Sequence, residues 1–124
     1  MSYPPVFAIT SASVAVQARL GSVPGCRVYM FGRAPQNVAK PYAVWQVVPG
    51  GSPENRLDRA PDMDRFNIQI DVYGENSDDS RLSAEALRDA IEPHAYVTGW
   101  RGEDQEPETK LHRSSFDVSW FVKR

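Results

Sequence analysis

The stretch RFNIQIDV at residues 65–72 decides the fold, because its side chains alternate strictly between polar and apolar. In a β-strand, successive side chains point to opposite faces, so this period of two gives one apolar face and one polar face. Such a division is typical of an antiparallel strand with one face against a core. The apolar face carries Phe66, Ile68, Ile70 and Val72.

Segments rich in β-forming residues flank this strand on both sides. We expect strands at residues 26–31 (CRVYMF) and 42–48 (YAVWQVV). A C-terminal hairpin is predicted with arms at residues 95–100 and 110–122. The acidic stretch GEDQEPET, residues 102–109, is predicted to form the solvated turn of that hairpin.

Helical spacing of apolar residues predicts two helical regions. Residues 3–20 form a short region that Ser11 or Ser13 divides by acting as a cap. Residues 80–92 form an amphipathic helix that Pro93 ends. The expected core-facing residues are Val6, Phe7, Ile9, Val14 and Leu20, then Leu82, Ala86, Leu87, Ala90 and Ile91.

The order of elements is therefore α(α)-β-β-β-α-β-β. The chain has 124 residues and a mass of 13.9 kDa, which suits one domain over residues 1–124. We predict an α+β fold, in which an antiparallel β-sheet has helices packed on one face.

Composition excludes several classes of protein. With 41% apolar and 24% charged residues the chain is close to the globular average, which excludes a collagen-like, coiled-coil or wholly disordered protein. A net charge of −2 argues against a broad basic face for DNA or anionic lipid. The single cysteine, Cys26, excludes an internal disulfide, and no apolar run approaches the ~20 residues that span a bilayer. We expect a soluble protein of a reducing compartment, with no membrane partner and no signal peptide.

Residues 49–64 (PGGSPENRLDRAPDMD) form an unusually long connection between two strong strands. Hairpin connections usually take two to five residues, and much longer ones are generally functional or disordered. The connection is either a mobile surface loop or an arm that contacts another subunit or protein. Arginine would suit the second role, since it pairs with carboxylates through two hydrogen bonds.

The aromatic residues of the predicted strands give a second indication of assembly. There are too many large rings for one side of a small sheet, so either some leave the core for an interface or all pack beneath helices. Both alternatives stay open from the sequence. The residues concerned are Trp45, Trp100, Trp120, Tyr29, Tyr42 and Tyr73.

Residue types that carry catalysis form no recognisable constellation. Cys26 has no histidine nearby in sequence, and His94 and His112 are isolated, so we expect no nucleophile, no metal site and no cofactor. The aspartates of the long connection alternate with arginines, which favours mutual neutralisation. The predicted acidic turn lacks the ligand spacing of a calcium loop. We predict that the protein is not an enzyme, with a hydrolase built on Asp62, Asp64 or His112 as a minor alternative.

Taken in order, several segments resemble one protein family, and the resemblance covers nearly the whole chain. Its most specific part is the block Ala34-Pro35-Gln36 … Lys40-Pro41-Tyr42 followed by Trp45-Gln46. The family is the small tail-completion family of long-tailed, siphovirus-type phages, which includes tail terminators and tail-to-head joining proteins. The segments are PPVFAI, VYMFGRAPQNVAKPYAVWQVVPGGSPEN, DRFNIQIDVYG, SRLSAEALRDAIEP and FDVSW.

The resemblance implies an α+β subunit that closes into a homohexameric ring at the head-proximal end of the tail tube. Such a ring stops polymerisation of the tube and offers a surface to the head connector or neck protein. It also implies a virion protein that is assembled in the host cytoplasm, with genomic DNA passing through the lumen without specific binding. The family supplies no catalytic residue.

No family motif assigns the contact residues, so we infer them from the chain itself. We expect the long connection to contact the tube or a neighbouring subunit through Arg56, Leu57, Asp58 and Arg59. The next candidates are Arg33, Gln36 and Lys40, in the connection between the first two strands. An alternative function is a small α+β module that binds a ligand or peptide on the open sheet face and has no role in a virion.

Overall fold

The structure is a computed structural model that describes residues 2–124. Three helices pack on one face of a five-stranded sheet with the strand order β1-β2-β3-β5-β4. This confirms the predicted α+β class and element order. The elements are α1 (Val6–Ser11), α2 (Val14–Leu20), β1 (Val28–Met30), β2 (Tyr42–Pro53), β3 (Met63–Gly74), α3 (Ser77–Ile91), β4 (Tyr96–Gln105) and β5 (His112–Lys123).

Strand β3 lies at the centre of the sheet, where it pairs antiparallel with β2 and with β5. The alternation predicted for residues 65–72 is confirmed, because the four apolar side chains are buried beneath the helices. Opposite them on β5 lie Trp120, Val118 and Phe116, which extend the same apolar face. The sheet is antiparallel except at one edge, where β1 runs parallel to β2. Residues 31–41 make this possible, because they form a crossover that returns the chain to the end of the sheet where β1 began, and not a tight hairpin turn.

Two helices begin at a short polar residue whose backbone is extended and whose side chain caps the first turn. Ser13 begins α2, since its hydroxyl oxygen accepts a hydrogen bond from the Val16 amide at 3.3 Å, as one of the two predicted dividing caps. Asn76 begins α3, and its side-chain oxygen accepts from the Asp79 amide at 2.9 Å. No helix within residues 2–124 is long and apolar enough to cross a membrane.

The predicted apolar stripes of the helices are partly wrong. Phe7, Val14 and Leu82 are exposed, at 41%, 80% and 39% of their surface. Short helices bury only a narrow stripe, so α2 buries Val16 in place of Val14, together with Leu20 as predicted. On α3 the small residues Ser80, Ser83 and Ala84 face the sheet, because the helix starts close to it: a Cβ added at Gly74 would lie 2.8 Å from the Ser80 nitrogen.

Strands β2 and β3 are longer than predicted, which shortens the connection between them to residues 54–62. The pairing shifts register between Val48 and Ser52, and this bulge keeps Pro49 within the strand. Gly50 has a φ of 110°, and a Cβ at Gly51 would meet the Arg65 carbonyl oxygen at 2.6 Å. Residues 49–53 were predicted to lie in a loop, and that prediction was wrong, because they form a bulged part of strand β2.

Strand β4 also continues past its predicted end at residue 100, as far as Gln105. Glu103 and Asp104, predicted to lie in a solvated turn, belong to the strand and form ion pairs with Arg81 and Arg113. The prediction was wrong for these two residues because it had no access to the partners across the sheet. Glu106 and Glu108 do lie in the turn, at residues 106–111.

Candidate assembly interface

The outer end of the β2–β3 hairpin projects beyond the rest of the sheet. We define the arm as residues 49–64, of which residues 54–62 form the tip loop. Every residue from 49 to 60 is exposed, and the tip loop is tied to the strands near its two ends, where the Glu54 amide donates to the Met63 carbonyl and the Asp62 carbonyl accepts from the Arg124 amide. The arm is therefore a surface whose side chains do not contribute to the core.

The base of the arm is held by the C-terminal end of β5. The Arg124 guanidinium donates to both carboxylate oxygens of Asp64 at 2.9–3.2 Å, and the Arg124 amide donates to the Asp62 carbonyl at 2.9 Å. This hydrogen bonding holds the pKa of the Asp64 carboxyl below its ordinary value. Arg65 adds a bond from Nη2 to the Gly50 carbonyl at 3.1 Å. The arm thus leaves the sheet in a fixed direction.

At the tip, Leu57 is completely exposed, at 110% of its reference surface. The neighbouring arginines form only long ion pairs, 3.8 Å from Arg56 to Asp58 and 3.7 Å from Arg59 to Asp62. Exposed pairs of this kind contribute little, so the guanidinium groups remain available to another partner. The four residues selected from the sequence lie together, and their contact with another chain stays a prediction.

The other selected residues lie elsewhere. Arg33, Gln36 and Lys40 occupy the connection from the edge strand β1 back to β2, outside the arm. Arg33 and Gln36 are exposed and Lys40 is half-buried. The structure does not bring them together with Arg56, Leu57, Asp58 and Arg59 in one site.

A groove of about 380 Å³ lies between α3 and the edge strand β4. Its main apolar surface is the indole of Trp100, which is 52% exposed and packs on Phe116 with 5.0 Å between ring centroids. The Arg88 guanidinium lies over the indole, 5.8 Å from its centroid. Trp45 and Trp120 pack beneath the helices, whereas Trp100 lies largely outside the core. That one of the aromatics joins an interface stays a prediction.

The rim of this groove carries both signs of charge. Arg81 donates two hydrogen bonds of 2.9 Å to Glu103, which lowers the pKa of the glutamate and raises the pKa of the arginine. Glu85 also lines the groove and forms no ion pair within the described chain. Trp100 was named from the sequence only as one of the strand aromatics, and Glu85 was not named as a candidate. Their common groove was not predicted, because only the packing of α3 beside β4 brings them together.

The opposite face of the sheet is uncovered and polar. Its charged groups are largely paired, with Arg101 bonded to Asp117 at 2.8 Å and Arg113 bonded to Asp104 at 2.6 Å. Two hollows that share Arg101 lie on this face, one of about 220 Å³ beside Arg113 and one of about 290 Å³ beside Asn67, at or below the lower end of the roughly 300–1,000 Å³ of typical ligand pockets. The alternative of a ligand or peptide bound on this face stays a prediction.

The candidate chemical groups are dispersed. Within residues 2–124, no three His, Cys, Asp or Glu side chains are grouped as a metal site would require. Burial raises the pKa of the Cys26 thiol, which disfavours the reactive thiolate. Asp62 and Asp64 lie at the base of the arm and face Arg59 and Arg124, respectively.

A small sheet with helices on one face and a hairpin that projects at one end defines a class of fold, a compact α+β subunit with exposed surfaces on which other chains can pack. The chain belongs to the tail completion protein gp17 family, whose model matches residues 4–123. It therefore has a structural role in a phage tail, as part of the virion.

A solved structure supports the fold. A chain described as "Virion of native gene transfer agent (GTA) particle" is similar at 15% identity with a TM-score of 0.56. The similarity covers 99% of this chain and 100% of the other, so the whole fold is shared. No curated protein matches the chain.

Proposed function

We propose that copies of this chain close into a six-fold ring at the head-proximal end of the tail tube. The ring ends polymerisation of the tube and provides the surface on which the head connector or neck protein is joined. The role in tail completion is that of the family. The position, the copy number and the terminating action are the proposal.

The observation that carries the proposal is the braced arm with Leu57 exposed at its tip. A contact between unlike surfaces of identical subunits is heterologous, and it closes into a ring when the rotation per subunit divides a full turn. The arm at one end of the β2–β3 hairpin and the edge of the sheet at β4 are unlike surfaces. The subunit thus has what a head-to-tail ring requires.

Strand β4 supports contact through side chains instead of extension of the sheet. Its pairing with β5 is interrupted twice, between Val97 and Gly99 and between Trp100 and Gly102. Bulges on an edge strand oppose pairing with the strand of another molecule. A ring that ends polymerisation needs an edge strand that does not pair freely. An edge strand open to pairing would let further subunits add to the sheet without closing a ring.

Similarity to a chain of a gene transfer agent virion supports a place in a phage-like particle. The net charge of −2 is compatible with a lumen through which DNA passes without binding, because duplex binding depends on neutralisation of phosphates by Lys and Arg.

Native mass spectrometry of the purified protein, alone and with tube protein, tests the proposal. We expect a closed species of six copies, formed in solution or on tube ends, and electron microscopy should place it between tube and head. A monomer under both conditions, or tails of normal length in a phage that lacks the chain, would contradict it. A monomer with a small molecule bound on the open face would instead support the alternative function.

A further inference from the structure

Two large side chains keep at least half of their surface in solvent. Leu57 stands at the tip of the arm and Trp100 in the groove between α3 and β4. Tryptophan and arginine are enriched among the residues that carry most of the binding energy at interfaces. Trp100 packs on Phe116 and lies beneath the Arg88 guanidinium, yet 52% of its surface stays exposed, and Leu57 is wholly exposed.

We infer that the arm tip of one copy docks in the α3–β4 groove of the next copy, with Leu57 against Trp100. This rests on the proposed ring and names the contact that closes it. The occupant of the groove is therefore a second copy of this chain.

The arm cannot reach the groove of its own subunit. The groove is lined by Ser114, which pairs with Val72 on β3, whereas the arm begins at Asp64. These positions are eight residues apart along β3, or about 26 Å of strand, and the tip loop continues in the opposite direction. The two surfaces can meet only between different copies.

Charge complements the apolar contact at one group of the groove, because its arginines are already paired, Arg81 with Glu103 and Arg88 with carboxylates of its own helix. The groove presents Glu85, whose carboxylate has no ion pair within residues 2–124. The tip presents Arg56 and Arg59 on either side of Leu57, each held only by an ion pair longer than 3.6 Å. An arginine of the tip can exchange its weak pair for Glu85 when Leu57 covers the indole, and exclusion of water strengthens that pair.

The size of the groove fits this occupant. Its 380 Å³ is several times what one aliphatic side chain fills, so it accommodates Leu57 and part of a flanking arginine. The bulges of β4 leave the groove, and not the strand edge, as the surface open to a neighbour.

Disulfide cross-linking of the full chain tests the docking. A chain with Leu57→Cys and Glu85→Cys is oxidised mildly, as purified protein and in assembled particles. We expect a ladder of cross-linked multiples that ends at the copy number of the ring and disappears on reduction. The matched control pairs Leu57→Cys with Ala18→Cys, an exposed position on α2 outside the groove. Cys26 is buried and does not compete.

The outcomes separate the docking from the ring. A ring counted by native mass, with no ladder from Leu57→Cys/Glu85→Cys or with an equal ladder from the control, overturns the docking and leaves the proposed function standing. Cross-links from Leu57→Cys to the tube protein instead of to a second copy overturn it too. Absence of any ring of the original chain, in solution and in particles, overturns both.

Discussion

The two halves of the β2–β3 hairpin differ in the burial of their side chains. In the inner half, Ile68, Ile70 and Val72 are at most 1% exposed beneath the helices. In the outer half, residues 49–60 are all exposed, and Leu57 lies wholly in solvent. The inner half accounts for the stability of the subunit, while the outer half has side chains that folding does not explain. The arm is therefore the part of the hairpin for which we propose a contact with another chain.

The largest effect should come from the core opposite the inner half. Phe116 pairs with Ile70 and is fully buried, so Phe116→Ala removes apolar contacts and leaves a cavity. We expect the free energy of unfolding to fall by about 3–5 kcal/mol, measured by urea denaturation. Leu57→Ala, a truncation of comparable chemistry in the arm, is the matched control. A loss below about 1 kcal/mol for Phe116→Ala would remove the contrast between the two halves.

A smaller loss is expected on the uncovered face of β3. Asp71 is buried there and accepts hydrogen bonds from Ser115 Oγ at 2.5 Å and from Gln69 Nε2 at 3.0 Å. Asp71→Ala leaves both donors without their acceptor, which should cost about 1–3 kcal/mol in unfolding free energy. Asp71→Asn keeps an acceptor oxygen and should lose less. Equal losses for the two variants would mean that the hydrogen bonds are not the cause.

The sequence predicted the inner half well and the outer half poorly, for a physical reason. Alternation at residues 65–72 reports burial on one face, so it identified β3, whereas the pairing of β3 with β5, which places Phe116 opposite Ile70, was not predicted. Glycine and proline at residues 49–53 resemble a loop because a bulge uses the same residues. The alternation could not reveal the bulge, since only the partner strand defines a register shift.

The sequence allowed prediction of only that part of the candidate interface whose residues are consecutive in the chain. Arg56, Leu57, Asp58 and Arg59 follow one another, so an exposed loop brings them together without any further fold. The groove depends on α3 lying beside β4, and the brace depends on Arg124 meeting Asp64 across the sheet. Contacts between residues distant in sequence leave no pattern of spacing, which is why both were missed.

The brace of the arm should affect local order far more than global stability. Arg124→Gln removes the guanidinium from Asp64, so we expect lower NMR order parameters for residues 54–62 and an almost unchanged unfolding midpoint. Lys123→Gln, at the neighbouring exposed position, should leave the arm unchanged. Unaltered order in Arg124→Gln would show that the strands alone fix the direction of the arm.

Acid should loosen the same brace in the original chain. The pKa of Asp64 is lower in the folded state than the ordinary value of about 3.9, so the pairing is complete above that value. It is lost as the pH falls below about 4 and through the folded pKa. We expect the Arg124 Nε–H resonance to shift in this range, and Arg124→Gln should move the titration of Asp64 upward. A titration of Asp64 that the variant leaves in place would separate the two groups.

The largest contrast between folding and assembly is expected at Leu57 and Trp100. Leu57 is wholly exposed, so Leu57→Asp should leave the unfolding free energy within about 0.5 kcal/mol of the original. Trp100→Ala uncovers part of Phe116 and should cost about 1–2 kcal/mol, well below the loss expected for Phe116→Ala. Each variant alone has one defective surface at every contact of a head-to-tail ring. Each should therefore be monomeric, or at least about tenfold weaker in self-association, by native mass spectrometry.

A mixture of the two variants distinguishes unlike surfaces from like ones. The Leu57→Asp chain keeps an intact groove and the Trp100→Ala chain keeps an intact arm, so one sound contact remains between them. That contact cannot propagate, because the free arm and the free groove of the pair are both defective. The mixture should therefore contain a one-to-one dimer that neither variant forms alone, whereas Val23→Asp, at an exposed loop position, should form the same ring as the original chain. Full rings from Leu57→Asp would show that the inner and outer halves of the hairpin do not divide stability from assembly in this way, and full rings from Trp100→Ala would show that the groove is not the partner surface of the arm.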